Sequence, residues 1–134
     1  MEENQRQEIY LHIENAKEML EVAQVMLDND FYTSTVNRAY YAIFYSANAL
    51  LITKNLASRK HSGVISLFRK NFIKTNLISS EYSDIYGRVM GSRHESDYEL
   101  DSAITPQIAQ ENLNDAKRFV LEMKQWLRNK GWIS

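Results

Sequence analysis

The sequence predicts an all-α fold, an antiparallel up-and-down bundle of about five helices. Apolar residues recur at alternating spacings of three and four residues along most of the chain, which is typical of helices that bury one face. No segment alternates apolar and polar residues over the length of a strand. Four glycines and one proline are too few for an all-β fold rich in turns. We expect a single domain over residues 1–134, with its core at about 6–129, because 134 residues is an ordinary domain size.

The first predicted helix covers residues 6–28. Its apolar residues form one stripe along one face, as their spacing of four, three, four, three and four shows. The members of the stripe are Ile9, Ile13, Ala16, Leu20, Ala23 and Leu27. The polar run Asp28-Asn29-Asp30 ends the helix.

The second predicted helix covers residues 32–53 and carries two neighbouring stripes. The inner stripe is Val36, Tyr40, Ile43, Ala47 and Leu50. The adjoining polar and aromatic stripe is Asn37, Arg38, Tyr41, Tyr45 and Asn48. This second stripe is compatible with a half-buried surface, in which Arg38 pairs with an acid and the tyrosine hydroxyls bond carbonyls. The alternative is that the stripe belongs to a functional site.

The third predicted helix covers residues 62–73, with Val64, Ile65, Phe68 and Phe72 at helical spacing. Ser58 or Ser62 is a candidate for its N-cap. The polar residues 74–79 are predicted to form a loop.

A fourth helix is predicted to follow Ser80, which can cap it, with Glu81 near the positive end of the helix dipole. Its buried face comprises Tyr82, Ile85, Tyr86, Val89 and Met90. Gly87 and Gly91 lie one turn apart, and each costs ~1 kcal/mol of helix propensity against alanine. We therefore expect close backbone packing at both glycines to compensate.

The fifth predicted helix covers residues 106–129. Thr105 is its N-cap, and Pro106 is its first residue. Its stripe is Ala109, Leu113, Ala116, Val120, Met123 and Leu127. Phe119, Trp126 and Trp132 add apolar surface beyond this stripe. They predict either a dimer interface or a wide core face.

Composition excludes several classes of protein. The chain has no cysteine, which removes disulfides, thiolate metal sites and cysteine nucleophiles. No apolar run approaches the ~20 residues that span a bilayer, and the acidic, polar N-terminus is unlike a signal peptide. These features predict a cytoplasmic protein with no membrane partner.

Charge is unevenly distributed along the chain. Residues 31–80 contain seven basic residues and no acid, although the formal net charge of the chain is only −1. The seven are Arg38, Lys54, Arg59, Lys60, Arg69, Lys70 and Lys74. This block predicts a basic surface, unless the fold interleaves it with acidic segments and the charges average out.

Residues 93–98, Arg-His-Glu-Ser-Asp-Tyr, concentrate titratable groups near the end of the fourth helix. Arg93 and Asp97 are four residues apart, as are His94 and Tyr98, so each pair shares a helix flank. A guanidinium beside an imidazole or phenol suits phosphate chemistry, because the planar cation binds phosphate oxygens while its neighbour moves a proton. The alternative is an ion pair at a solvated helix end.

Other residues could join this cluster. Lys60 and His61 can approach from the third helix, whereas a metal site is not expected. The three histidines have no ligand spacing, and no cofactor-binding motif is present.

Three segments in this order resemble a HEPN domain, the all-α module named for higher eukaryotes and prokaryotes nucleotide-binding. They are residues 34–44, residues 60–64 with Phe68, and residues 93–98, and with their spacing they cover roughly 10–128. The resemblance implies a helical bundle that often dimerises. It also implies either a metal-independent ribonuclease toxin or the partner of a minimal nucleotidyltransferase that acts as antitoxin.

The resemblance also implies site residues. The family motif is an arginine, a polar residue and, after four to six intervening positions, a histidine. Arg93 matches the arginine and His94 the polar residue, but Tyr98 stands where the histidine would come. A second frame pairs Arg88 with His94. Tyrosine, with an ordinary pKa of about 10, is a poor general base at neutral pH.

These observations define our expectation for function. We expect a homodimeric HEPN protein of a toxin–antitoxin-like pair, whose partner is a minimal nucleotidyltransferase, with a nucleotide- or RNA-facing groove around Arg93. The alternatives are an active ribonuclease toxin and a non-catalytic protein-interaction module. The candidate catalytic residues are Arg93, His94 and Tyr98. The candidate binding residues are Asn37, Arg38, Tyr41, Lys60, His61 and Asp97.

Overall fold

The computed structural model describes the backbone of residues 2–98 and 104–134, and the side chains of residues 2–94 and 104–134. Over these residues the chain forms five α-helices and no strand, which confirms the predicted all-α fold class. The helices are α1 (Glu3–Asp28), α2 (Tyr32–Thr53), α3 (His61–Phe68), α4 (Ser80–Tyr98) and α5 (Pro106–Asn129).

The central element is α2, which packs against each of the other four helices. Arg38 is its only charged residue, so most of its circumference can be buried without desolvating charge. Small residues such as Ala39, Ala42 and Ala47 are fully buried and let neighbouring helices approach closely. A nearly uncharged helix is therefore surrounded on several sides.

The amphipathic helices α1 and α5 cover α2 with their apolar stripes. Ile9, Ile13, Ala16 and Ala23 of α1 are buried, as are all six stripe residues of α5. Phe119 is fully buried, and Trp126 and Trp132 pack partly buried against the same core. These three aromatic residues therefore widen the core face.

The predicted third helix, 62–73, is divided in the structure. The α-helical part ends at Phe68, and Arg69–Ile73 forms a π-helical turn. The turn closes where the Lys74 backbone N–H donates to the Arg69 carbonyl at 2.9 Å. Two buried rings lie at this wider turn: Phe68 and Phe72 are both fully buried and stack with their centroids 6.1 Å apart.

The helix starts agree with the predicted caps in one case. Thr105 Oγ1 accepts a hydrogen bond from the Ile108 N–H at 3.1 Å, so the predicted N-cap of α5 is present. The N-cap of α3 is Lys60, not a serine, although Ser58 Oγ accepts from the Lys60 N–H at 3.2 Å. Ser80 is the first residue of α4, so it does not cap that helix from outside.

The glycines of α4 differ from the expectation of close backbone packing. Apart from the helix's own backbone, no atom of the described residues lies within 4 Å of a Cβ built at Gly91, so no described neighbour packs there. At Gly87 a Cβ would meet the Arg69 guanidinium at 2.9 Å. The neighbour of Gly87 is thus a flexible side chain, which Ser83 Oγ holds by accepting from Arg69 Nε at 2.9 Å.

Within the described part of the chain, no helix is both long enough and apolar enough to cross a membrane.

Candidate functional site

A cleft of 430 Å³ lies where the start of α3 meets the last described side chains of α4. It brings together residues that the sequence analysis selected from two separate segments. The described residues that line it are Arg59, Lys60, His61, Ser62, Met90, Arg93 and His94. The site is thus made by packing α3 and α4 on α2, because α2 contacts both of them.

Two aromatic rings of α2 support the Arg93 guanidinium. Its central carbon lies 4.8 Å from the Tyr40 ring centroid and 5.5 Å from the Tyr41 ring centroid. The two rings are nearly perpendicular to each other, at 75°. Cation–π attraction of this kind contributes ~0.5–2 kcal/mol, more when the cation is desolvated. Half-buried Arg93 is therefore positioned by the aromatic pair at the lip of the cleft.

His61 is held from two sides. Its Nδ1 lies 2.7 Å from the hydroxyl oxygen of Tyr40, which is fully buried. Its ring stacks on Phe44 at a centroid distance of 4.6 Å, with an angle of 23° between the planes. One hydrogen bond and one stacking contact together fix both the position and the plane of the imidazole.

The protonation states of this pair follow from burial. Burial raises the pKa of Tyr40 to about 12, against a smaller opposing effect of Arg93, so the phenol keeps its proton. Burial, and then the Arg93 charge, lower the pKa of His61 below its usual 6.5. At neutral pH both Tyr40 and His61 are uncharged.

The described lining of the cleft is rich in cations. Among the lining residues whose side chains are described, Arg59, Lys60 and Arg93 are cationic and none is a carboxylate. The seven basic residues of 31–80 take no part in the ion pairs formed by the described side chains, which join Lys17 to Glu14, Arg88 to Asp115 and Arg118 to Glu81. The N-terminal end of α3 adds its partial positive charge at the same place. The arrangement is suited to an anion.

Some predicted site residues lie elsewhere. Asn37 is half-buried and Arg38 is exposed, and neither lines the cleft. Arg88, the arginine of the second frame, donates to Asp115 Oδ2 at 3.2 Å across to α5 and also lies outside the cleft. The helix α4 continues through Tyr98, but the side chains of Asp97 and Tyr98 lie outside the described residues.

The structure adds four residues that the sequence analysis did not select for the site. Arg59, Ser62 and Met90 line the cleft, and Tyr40 holds His61 and Arg93 from beneath. The run Arg59-Lys60-His61 was a usable signal, since three basic or titratable residues stand together at the start of a helix. No comparable signal marks Tyr40 in the sequence, because its spacing places it on the core face. In the described part of the chain, no group of three or more metal-ligating side chains forms.

Comparison with known proteins identifies the family of the chain. The family model described as HEPN domain matches residues 9–126. A relative from Methanocaldococcus jannaschii, named "Putative toxin", is 40% identical over 123 residues, which cover 92% of this chain and 91% of the relative. A second protein of that name and organism is 34% identical over 130 residues, covering 97% and 88%.

A UPF0332 protein from Thermotoga maritima is 42% identical over 83 residues, covering 62% of this chain and 63% of that protein. The family match extends from the first turns of α1 almost to the end of α5 and so includes every element that forms the cleft. The chain therefore belongs to the HEPN domain family.

Proposed function

We propose that this protein is the HEPN component of a toxin–antitoxin-like pair, and that the cleft around Arg93 binds the phosphate groups of a nucleotide or of RNA. The observation that carries the proposal is the basic cleft, with Arg59, Lys60 and Arg93 along its walls. Phosphate is the common biological anion that a planar guanidinium and an ammonium group bind together. The toxin names of two relatives support the toxin role.

The cleft also offers apolar surface to a base. Met90 and the His61 ring are among its lining residues, and imidazole rings can stack on unpaired bases. A cleft that combines three cations with such surface fits a single-stranded nucleic acid or a nucleotide better than an inorganic ion.

The partner in this proposal is a minimal nucleotidyltransferase acting as antitoxin, as the family resemblance implies. Co-expression with a candidate minimal nucleotidyltransferase is expected to yield a complex that survives size-exclusion chromatography. Purification of the two proteins as separate species would contradict the pairing.

The nucleotide proposal is tested by titrating metal-free protein into a fluorescein-labelled single-stranded oligoribonucleotide. We expect Arg93→Ala to weaken binding about tenfold or more, because charged hydrogen bonds contribute roughly 1.5–3 kcal/mol. It should also make the slope of log K against the logarithm of the salt concentration shallower by about one. Arg88→Ala is the matched control, because it removes the same charge from the same helix outside the cleft.

Three results of this titration would contradict the proposal. Equal affinity of wild type and Arg93→Ala would remove the cleft from the interaction. A loss in Arg88→Ala alone would show that the second frame was the correct one. Absence of any binding would favour the protein-interaction module instead.

An active metal-independent ribonuclease is the second candidate. It is favoured by one observation, that His61 and His94 both line the cleft beside Arg93. Cleavage would transfer the 2′-hydroxyl proton to a base, form the bond from that oxygen to phosphorus, and protonate the departing 5′-oxygen. We expect weak or absent cleavage, because Tyr98 occupies the position of the motif histidine.

The ribonuclease assay uses mixed RNA and chelator with wild type, Arg93→Ala, His94→Ala and Tyr98→Phe. Robust cleavage that Arg93→Ala abolishes would make the ribonuclease the better reading. Cleavage lost in His94→Ala but kept in Tyr98→Phe would assign the proton transfers to His94.

A further inference from the structure

We propose that the buried Tyr40 hydroxyl donates its hydrogen bond to His61 Nδ1, so that the imidazole presents its Nε2–H to the cleft as a fixed, uncharged donor to a phosphate oxygen. This inference rests on the proposed function for the identity of the ligand. It assigns to His61 a binding role and excludes it as the base that accepts a proton from RNA.

The first step concerns the Tyr40 hydroxyl. Tyr40 is fully buried, and among the described residues the only hydrogen-bond partner of its hydroxyl is His61 Nδ1, at 2.7 Å. A buried donor without an acceptor costs ~1–3 kcal/mol. The phenol proton therefore points at Nδ1, since no other described acceptor is within reach.

The second step concerns the tautomer of His61. A neutral imidazole has one N–H and one lone pair, on different nitrogens. When Nδ1 accepts from the phenol, the proton must be on Nε2. The opposite arrangement, with Nδ1–H donating to the Tyr40 oxygen, would leave the phenol proton without an acceptor. The hydrogen bond thus selects the Nε2–H tautomer.

The third step concerns orientation. The ring stacks on Phe44 at 4.6 Å, and rotating it about its own axis would break the Tyr40 bond. Because Nδ1 faces Tyr40 in the interior, Nε2 lies on the other side of a half-buried ring that lines the cleft. Arg93 lines the same cleft and is supported by the same Tyr40 ring. Tyr40 thus positions two donors for one ligand.

The consequence is that the two histidines of the cleft have different chemical roles. The Nε2–H of His61 can donate to a phosphate oxygen but has no lone pair to accept a 2′-hydroxyl proton. Any proton acceptor in this cleft must then be another group. Tyr40 itself touches no ligand and is a positioning residue.

The tautomer is read directly by nuclear magnetic resonance. Two-bond proton–nitrogen correlations of isotope-labelled protein at neutral pH show which ring nitrogen of His61 carries the proton. We expect the Nε2–H pattern in wild type, retained on addition of adenosine monophosphate with a shift of the Nε2 resonances. An Nδ1–H pattern, or no response of Nε2 to saturating adenosine monophosphate, would overturn the inference.

The variants separate positioning from folding. Tyr40→Phe keeps the ring under Arg93 but removes the hydroxyl, so we expect a mixture of tautomers and an affinity for adenosine monophosphate lower by several-fold. Tyr45→Phe is the matched control, since it removes a hydroxyl from α2 outside the cleft and should change neither readout. An unchanged tautomer in folded Tyr40→Phe would contradict the inference that the Tyr40 hydroxyl selects the tautomer of His61.

The donor itself is tested at position 61. His61→Ala should lower the affinity about tenfold, whereas His61→Gln, which keeps an N–H donor, should recover most of it. Equal loss in both variants would exclude a donor role.

Failure of this inference can be told apart from failure of the proposed function. If wild type binds neither adenosine monophosphate nor the oligoribonucleotide, the phosphate cleft and the ligand role of His61 fall together. If wild type binds these ligands and Arg93→Ala does not, but His61 is the Nδ1–H tautomer, then only the inferred hydrogen bond from Tyr40 to His61 is wrong.

Discussion

At the scale of residues, adjacent tyrosines on α2 differ in burial but share a contact with Arg93. Successive helix positions are rotated by about 100°, so Tyr40 is fully buried while Tyr41 is half-buried. Both rings nevertheless reach Arg93, at 4.8 and 5.5 Å. A residue that the spacing assigns to the core can therefore also shape the site, because a long aromatic side chain packs along its ring and bonds at its tip.

The lowered pKa of His61 makes stability depend on pH. As pH falls, His61 takes up its proton near the usual 6.5 in the unfolded chain but only at a lower pH in the folded chain, because its folded pKa is lower. The free energy of unfolding should therefore fall as pH drops through 6.5 and level off below the folded pKa. The groups around the imidazole are Tyr40 and Tyr41 of α2, Arg93 and His94 of α4, and Arg59 and Lys60 just before α3.

This pH dependence is measured by urea unfolding of wild type and His61→Gln between neutral pH and about pH 5. We expect the variant to lose less stability than wild type over this range, because it lacks the titrating group. Titration of the carboxylates affects both proteins and cancels in the difference. Identical pH profiles would show that the pKa of His61 is not lowered in the folded protein.

At the scale of elements, the start of α3 depends on a glycine. A Cβ at Gly63 would lie 2.0 Å from Ser58 Oγ and 2.8 Å from Ser58 Cβ, so the loop before α3 packs directly on this position. This loop carries Arg59 and Lys60 into the cleft. The absence of a side chain at Gly63 therefore helps to form the site.

We expect Gly63→Ala to destabilise the protein by ~1–3 kcal/mol, because overpacking outweighs the gain in helix propensity. Gly91→Ala is the matched control and should stabilise by up to ~1 kcal/mol, since no described residue outside the helix's own backbone lies within 4 Å of the added carbon. Thermal or urea unfolding measures both. Adding Ser58→Gly to Gly63→Ala should restore stability, and failure to do so would show that the contact with Ser58 is not the cause.

At the scale of the whole molecule, the uneven charge of the sequence persists as a local feature. The loop and helix start at 59–61 supply cations to the cleft, and Arg93 joins them from a segment outside the basic block. The ion pairs of the described side chains lie mainly among α1, α4 and α5. In these three pairs, acids of the flanking segments meet basic residues of the flanking segments and not those of 31–80.

We expect a homodimer, as the family resemblance implies. Phe119, Trp126 and Trp132 belong to the core, but Tyr10 and Leu11 are adjacent and more than half exposed, at 57% and 58%. They border a cavity of 680 Å³ between α1, α5 and the C-terminal residues. A two-fold contact here would bury this apolar surface on both subunits.

Light scattering at micromolar concentration should give about twice the 15.7 kDa of the chain. Leu11→Glu should shift the protein toward monomer, because it places a charge in the contact. Phe31→Ser removes an equally exposed apolar residue, at 59%, from the turn after α1 and should leave the mass unchanged. A monomeric mass of wild type at every concentration would exclude the dimer.

Much of the fold could be predicted from the sequence. The stripes of α1, α2 and α5 repeat with helical period, and Thr105-Pro106 marks the start of α5 by local chemistry alone. The π-helical turn at Arg69–Ile73 could not, because Phe68 and Phe72 fit an ordinary helix equally well and only the packing of both rings accompanies the wider turn. The open surroundings of Gly91 were likewise invisible, since spacing says nothing of a neighbouring helix.

The same division holds for the site. The sequence by itself determined the all-α class, the family, and the residue types for anion chemistry, because periodicity and short motifs are local properties of the chain. Only the tertiary structure decided that Arg93 and His61 share a cleft, that Arg38 and Arg88 lie outside it, and that Tyr40 supports both cleft residues. The reason is physical: contacts between α2, α3 and α4 depend on how the helices rotate and cross when their apolar faces pack, and spacing along one helix does not specify its neighbour.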